Sequence, residues 1–334
     1  MTVPTTMRAA IITRFGGPEV LEVHDRPVPM PAAREILVRV HASALNRADL
    51  LQREGKYPAP PGAPADIPGM EFAGEVAACG ERVTDWREGD RVFGIVPGGA
   101  NAEYLVTDAA CAVRIPEHLS WIDAASIPEV FITAYDALVT QAAVRADERI
   151  LIHAVGSGVG LAAAQIAVAW GAVPYGTART ADKIARAREF GLVDGVVVGD
   201  NVDAMAAAVM ELTGGKGIDV TLDLVGGAYV AASIQAAAPH GRIMLIGTIA
   251  GRAPTIPLGL MLGKRLTLKG TVLRARPLDE KRIVAAGFAR DVVPRLASGE
   301  MRPTVDAIYD LADIGAAHER LASNATFGKV VLRA

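Results

Sequence analysis

The chain of 334 residues contains only two cysteines, Cys79 and Cys111, far from any C-x-x-C spacing. That scarcity excludes a disulfide framework, and the apolar setting of each thiol fits a reduced, buried residue of a cytosolic protein. Its six histidines are scattered singly, so no cluster of His, Cys and carboxylate has metal-ligand spacing, and no metal is expected. Neither sign of charge is in excess: 34 Lys and Arg stand against 37 Asp and Glu, a net charge of −3. A nucleic-acid footprint needs a clustered basic surplus, and none exists here. The opening MTVPTTMRAA lacks the apolar core of a signal peptide and the closing FGKVVLRA carries no address, so a cytoplasmic location is expected. Internal repeats and low-complexity tracts are also missing.

What is there is a soluble composition, 51% hydrophobic and 21% charged, long enough for two domains with cores of their own. The most informative stretch is Ile150 to Gly160, ILIHAVGSGVG. A run of β-formers ends in Gly156, Gly158 and Gly160, and the Ala-rich helical pattern LAAAQIAVAW follows at once. Strand, glycine turn and helix form a dinucleotide-binding unit, in which glycine lets the backbone approach a pyrophosphate and the helix lie close to the strand. First-turn amides near Val159 would point at the phosphates. The strict G-x-G-x-x-G is missed by one place, since Leu161 stands at the third glycine position. Ile150 to Ala178 has no Asp, Glu, Lys or Arg, but its glycines, Gln165 and His153 make a membrane span unattractive.

Read in order, residues 7 to 40 are short strands with turns, and residues 46 to 62 hold a short helix running into a Pro-rich loop. IPGMEFAGEVAACG, WREGDRVFGIV and NAEYLVTD supply further strands, as in a small barrel. Helical spacing begins around Trp121 and continues from Thr133 to Ala143. A βα alternation follows: strands at 149–154, 172–177, 194–198, 218–224 and 241–247, helices at 159–170, 181–190, 202–212 and 228–238. Alternation at this spacing predicts a parallel sheet with helices on both faces. Beyond Thr271 the pattern loosens into one long helix, Leu278 to Ser298, and a terminal strand, Gly328 to Leu332, which is expected to rejoin the first domain.

With these residues assembled, the chain resembles the zinc-free medium-chain dehydrogenase/reductases of the quinone oxidoreductase kind, related to the p53-inducible protein. The resemblance runs over nearly the whole length and is carried by FGGPEVLEV, NRADLLQREGKYPAPPG, IPGMEFAGEV, GDRVFGIVPGG, IHAVGSGVG, TGGKGIDVTLDLVGG, GRIMLIG, LKGTVLRAR and FGKVVL. It implies an α/β fold: a GroES-like β-barrel over 1–124, a doubly wound Rossmann sheet over 125–272, and a return to the barrel over 273–334. It also implies a cleft for nicotinamide between the two, a homodimer, and NADPH-dependent reduction of a small quinone-like substrate.

Zinc-dependent relatives place a Cys and a Gly-His-Glu motif at the catalytic metal. Here these positions read Asn46 and Gly69-Met70-Glu71, and the family's four-cysteine lobe is absent. Bound zinc lowers the pKa of water by roughly nine units, on the order of 12 kcal/mol of anion stabilisation. Alkoxide chemistry would lose that help, whereas a quinone, whose reduced oxygen is phenolate-like, needs little of it. On the substrate side the resemblance implies Asn46 and Tyr57 as hydrogen-bond donors, with Leu51 where some bacterial relatives have a second Tyr. On the coenzyme side it implies Thr133, Gly156, Ser157, Gly158, Val159, Gly160, Gly247, Thr248, Leu273, Phe327 and Lys329. Coenzyme choice rests on GTARTADK: Thr177, Arg179 and Lys183 suit a 2′-phosphate, and no carboxylate precedes Asp182 in the first helical turn. The following VVVGDN offers no Tyr to this subsite. Two rival functions share these features: an enoyl-thioester or alkenal reductase, and an NADPH-binding structural or sensing protein.

Overall fold

The computed structural model describes residues 3–199, 202 and 204–334. It divides into two compact units, Met1–Ile132 with Leu273–Ala334, and Thr133–Val272. The expected boundaries were 124/125 and 272/273.

In the first unit β1 (Thr6–Ile12) pairs antiparallel with β2 (Leu21–Pro27). The larger sheet is built on β3 (Glu35–Ala44), which pairs antiparallel with β4 (Glu71–Cys79), β6 (Tyr104–Asp108) and the last strand of the chain, Lys329–Arg333. Strand β5 (Arg91–Ile95) joins β4 to β7 (Ala112–Arg114). Alternate side chains of β3, Ile36, Val38 and Val40, face one interior with Phe72, Val76 and Val92. That two-residue period is what the sequence EILVRV dictates for a strand with one face in the core. Register shifts place an extra residue in β4 opposite Leu37 and Val38 and an extra residue in β3 between Val40 and Ala42, bending the pair.

The second unit holds a six-stranded parallel sheet in the order β10-β9-β8-β11-β12-β13. Its strands are β8 (Arg149–Ile152), β9 (Val173–Ala178), β10 (Asp194–Val197), β11 (Ile218–Asp223), β12 (Ala237–Leu245) and β13 (Thr267–Gly270). Strand order reverses at β8, and a ligand crevice in such sheets opens at the carboxyl ends of the strands beside that reversal. The glycine turn occupies that end of β8. The helix that follows, Gly158–Ala169, buries eight residues from Gly160 to Ala167, so it is apolar on all sides because protein surrounds it. Among the described residues no helix is long and apolar enough to cross a membrane.

The differences from the sequence reading have local causes. Strand β8 stops at Ile152 because Ala154 takes a left-handed φ of 52°. The helix expected over Leu278 to Ser298 is two, Leu278–Asp291 and Val293–Ala297, because Pro294 lacks the N–H needed to continue the first. The helix expected over 202–212 is Met205–Leu212, and position 203 lies outside the described residues. At the glycine turn, a Cβ on Gly160 would stand 2.6 Å from the Cα and the carbonyl oxygen of Val155. Backbone cannot yield as a side chain does, so Gly160→Ala is expected to destabilise the protein by about 1–3 kcal/mol. Urea unfolding of the full chain measures this.

Candidate functional site

The first unit gathers a polar centre around the amino end of α1 (Arg47–Arg53) and the first residue of β4. Glu71 is fully buried and Lys329 is 4% exposed, and Lys329 Nζ lies 2.6 Å from Glu71 Oε1. The same ammonium donates to the Leu45 carbonyl at 2.7 Å and to Asn46 Oδ1 at 2.6 Å. An ammonium has three donors, so Lys329 has none left. A direct coenzyme contact from Lys329, as the resemblance implies, therefore has no N–H to make it. Asn46 Nδ2 donates to Glu71 Oε1 at 2.8 Å and reaches the Ala44 carbonyl only at 3.4 Å. The Asn46 amide is thus oriented from both ends, with one weakly engaged N–H.

Glu71 Oε2 accepts the Glu129 backbone N–H at 2.8 Å, at the start of the helix Pro128–Tyr135. A carboxylate there meets the positive end of the helix, and Pro128 suits the first helical position because its missing N–H would be unpaired anyway. Asp49, also fully buried, accepts the backbone N–H of Asn46 at 2.7 Å and of Gly69 at 3.0 Å. Burial raises the Asp49 carboxyl above its ordinary value against these bonds and the nearby Lys329 and Arg274.

Tyr57 is half-buried, and its ring lies 5.2 Å from the guanidinium of Arg274. Arg274 donates to Gln52 Oε1 at 2.5 Å, the Pro97 carbonyl at 2.6 Å and the Tyr57 carbonyl at 3.4 Å, tying three segments together. Burial pushes the Tyr57 phenol up, so at neutral pH it keeps its proton and serves as a donor. Burial likewise pulls the Arg274 guanidinium down. Leu51 holds the Tyr57 backbone N–H through its carbonyl at 3.2 Å. Leu273 and Phe327 are buried residues of this unit.

The second unit brings together the glycine turn and the end of β9. Ser157 caps the helix Gly158–Ala169, accepting the Gly160 N–H at 3.1 Å. The amides of Gly158 and Val159 precede the first intrahelical bond and are the donors left for an anion. A Cβ on Gly156 would come within 3.0 Å of the Lys183 side chain, which places that lysine's aliphatic stem against the turn. Arg179 is exposed, and Thr180 caps the helix Ala181–Ala187 that carries Lys183. The Thr177 hydroxyl lies 3.0 Å from His153 Nδ1, while His153 Nε2 lies 2.8 Å from Ser233 Oγ. Burial lowers the His153 pKa and keeps the ring neutral. Gly247 approaches the Leu224 carbonyl so closely that a Cβ would meet it, and Thr248 beside it is exposed. Thr133 is buried in the helix Pro128–Tyr135. These residues fit a dinucleotide: a glycine turn whose Gly160 packs on the Val155 backbone, the Gly158 and Val159 amides ahead of the first intrahelical bond, and the Lys183 stem against the turn.

Sequence reasoning missed Arg274, Asp49 and Glu129. Arg274 stands in LKGTVLRAR beside the Leu273 that was singled out, and Glu129 is the only charged residue between Ala124 and Tyr135. A lone carboxylate in an apolar run is the signal that would have found it. Among the described residues, no group of three His, Cys, Asp or Glu side chains could hold a metal ion. At this centre the Lys329 ammonium stands between Asn46 and Glu71, and the Glu71 and Asp49 carboxylates are already bonded within the protein, so no Cys, His or unengaged pair of carboxylates is offered as zinc prefers.

An alcohol dehydrogenase GroES-like domain matches residues 32–117, and a zinc-binding dehydrogenase domain matches residues 158–287. A quinone oxidoreductase of Lama guanicoe is 33% identical over 330 residues, which cover 98% of this chain and 97% of that protein. An NAD-dependent alcohol dehydrogenase structure superposes with a TM-score of 0.87 at 32% identity, over 98% of this chain and 100% of that one. A mycobacterial protein solved in complex with NADPH superposes with a TM-score of 0.88 at 28% identity, over 98% of this chain and 100% of that one. The chain belongs to the quinone oxidoreductase family of medium-chain dehydrogenase/reductases.

The buried ion pair gives a direct test. Lys329→Met leaves the Glu71 carboxylate without its cation and is expected to cost about 3–5 kcal/mol of stability. Adding Glu71→Gln should restore much of that loss, since the uncompensated charge goes with it. Denaturant unfolding of both variants measures the recovery.

Proposed function

We propose that the protein reduces quinone-like electrophilic acceptors with NADPH and without a metal. The observation that carries this reading is the Lys329 ammonium bonded to both Asn46 and Glu71, at the positions where zinc-dependent relatives have their metal motifs. A fixed organic cation there holds the amide in one orientation and leaves no ligand set for a Lewis acid. An acceptor in this unit must therefore be electrophilic on its own account. Bound NADPH would supply the hydride.

The chain's own residues supply orientation and hydrogen bonding. The Tyr57 hydroxyl, protonated at neutral pH, donates to the acceptor oxygen where charge develops. Arg274 fixes the position of Tyr57, and the weakly engaged Asn46 N–H is a second donor. At the coenzyme, Gly158 and Val159 amides take the pyrophosphate while Lys183 and Arg179 take the 2′-phosphate. No carboxylate stands at the end of β9 to grip an unphosphorylated ribose or to repel the phosphate. The mycobacterial relative solved with NADPH supports this choice.

Two outcomes follow. Lys183→Glu should lower the ratio of NADPH to NADH efficiency by about tenfold to a hundredfold, because a charged hydrogen bond is replaced by repulsion. An unchanged ratio in steady-state assays with each coenzyme rejects the assignment. Tyr57→Phe should lower kcat/KM for 1,4-naphthoquinone by roughly tenfold or more while NADPH binding, followed by nicotinamide fluorescence, stays as in the parent. Equal loss of both rejects Tyr57 as a substrate-side donor.

A further inference from the structure

The glycine turn of the second unit contains a residue in a conformation its own side chain opposes. Ala154 has a φ of 52°, in the left-handed region where a Cβ crowds the backbone and where glycine would sit freely. Three main-chain bonds fix it there. The Ala154 carbonyl accepts the Ser157 N–H at 2.9 Å, the Val155 N–H donates to the Thr177 carbonyl at 2.9 Å, and the His153 N–H donates to the Leu222 carbonyl at 3.0 Å. The start of the helix Gly158–Ala169 leans on the same backbone, since a Cβ on Gly160 would stand 2.6 Å from the Val155 carbonyl oxygen and 2.7 Å from that of Ala154. The backbone at 154 and 155 therefore sets where the Gly158 and Val159 amides lie.

Thr177 grips this turn twice. Its carbonyl takes the Val155 N–H and its hydroxyl lies 3.0 Å from His153 Nδ1, so it engages the residues on both sides of Ala154. Donor counts give the direction of each bond. Ser233 spends its single hydroxyl proton on the Tyr229 carbonyl at 2.7 Å, so toward His153 Nε2 it can only accept. The neutral, fully buried His153 thus carries its proton on Nε2 and leaves Nδ1 as the acceptor, to which Thr177 donates. Thr177 is 1% exposed and its hydroxyl proton is committed, so it has none left for a coenzyme phosphate.

We propose that Thr177 and His153 are positioning residues for the coenzyme: they clamp Ala154 in its strained conformation and so hold the turn in the shape that presents the Gly158 and Val159 amides to a pyrophosphate. Strain of this kind persists only where the surroundings over-determine it, and a turn already in its bound shape loses less freedom when the ligand arrives. The inference rests on the coenzyme reading and changes the part played by Thr177, from contact with a 2′-phosphate to support of the pyrophosphate turn. NADPH and NADH share the pyrophosphate, so the clamp serves both alike, whereas Lys183 and Arg179 serve the 2′-phosphate.

The test measures dissociation constants of NADPH and NADH on the full chain by nicotinamide fluorescence. Thr177→Val keeps the side-chain shape, removes the hydroxyl and should weaken both coenzymes by the same factor, about tenfold. Thr177→Ser, which keeps the hydroxyl, should recover most of that affinity. Ala154→Gly added to Thr177→Val should recover part of it, because glycine takes a left-handed φ without being held there. Independently of any Thr177 variant, nitrogen-15 NMR of the histidine-labelled parent without coenzyme should show one ring, missing in His153→Gln, as the Nε2–H tautomer. That ring should stay neutral through the ordinary histidine titration near about 6.5. Parental affinity in Thr177→Val, a loss confined to NADPH, no recovery on adding Ala154→Gly, or an Nδ1–H or titrating His153 ring each overturns the inference while leaving the coenzyme reading intact. A parent that binds neither coenzyme overturns both.

Discussion

The buried pair of Lys329 and Glu71 is the interaction on which the first unit depends. Neither charge would tolerate its position alone, and each is further bonded, the ammonium to a carbonyl and an amide, the carboxylate to an amide and a helix N–H. A pair so completely satisfied contributes order more than raw stability, because desolvation offsets much of the Coulomb attraction. What it orders is the start of α1, the start of β4, the start of the helix Pro128–Tyr135 and the last strand. Asn46 and Glu129 inherit their positions from it.

The second unit depends on a close approach. Gly160 lets a helix buried from Gly160 to Ala167 rest on the end of β8, with the Gly158 and Val159 amides at its start. Neutral His153, bridging Thr177 and Ser233, fastens the end of β9 to the helix Ala228–Ala236 from beneath. The Thr177 hydroxyl is one anchor of that bridge.

Legibility in the sequence followed interaction range. The βα alternation was plain because helix and strand periods are local, and the glycine turn was plain because three glycines between a strand and a helix have few other uses. Ends of elements moved where backbone conformation decided them, at Ala154 and at Pro294. The polar centre was half legible. Asn46, Tyr57 and Lys329 lie in motifs that could be recognised, but the bond from Lys329 to Asn46 spans 283 residues of chain, and no local pattern foretells such a pairing. Glu129 went unremarked because its main-chain bond to the Glu71 carboxylate spans 58 residues of chain and belongs to the folded neighbourhood alone.

The antiparallel pairing of Lys329–Arg333 with β3 couples two segments far apart in the sequence. During synthesis the parallel sheet has all its strands once residue 270 emerges, whereas the barrel waits for the later strand Lys329–Arg333. Until then Glu71 has no counterion and Asn46 no fixed orientation. The nascent protein can thus assemble its parallel-sheet unit while the first unit is still open, because the cation at the centre of the barrel is translated after every strand of that sheet.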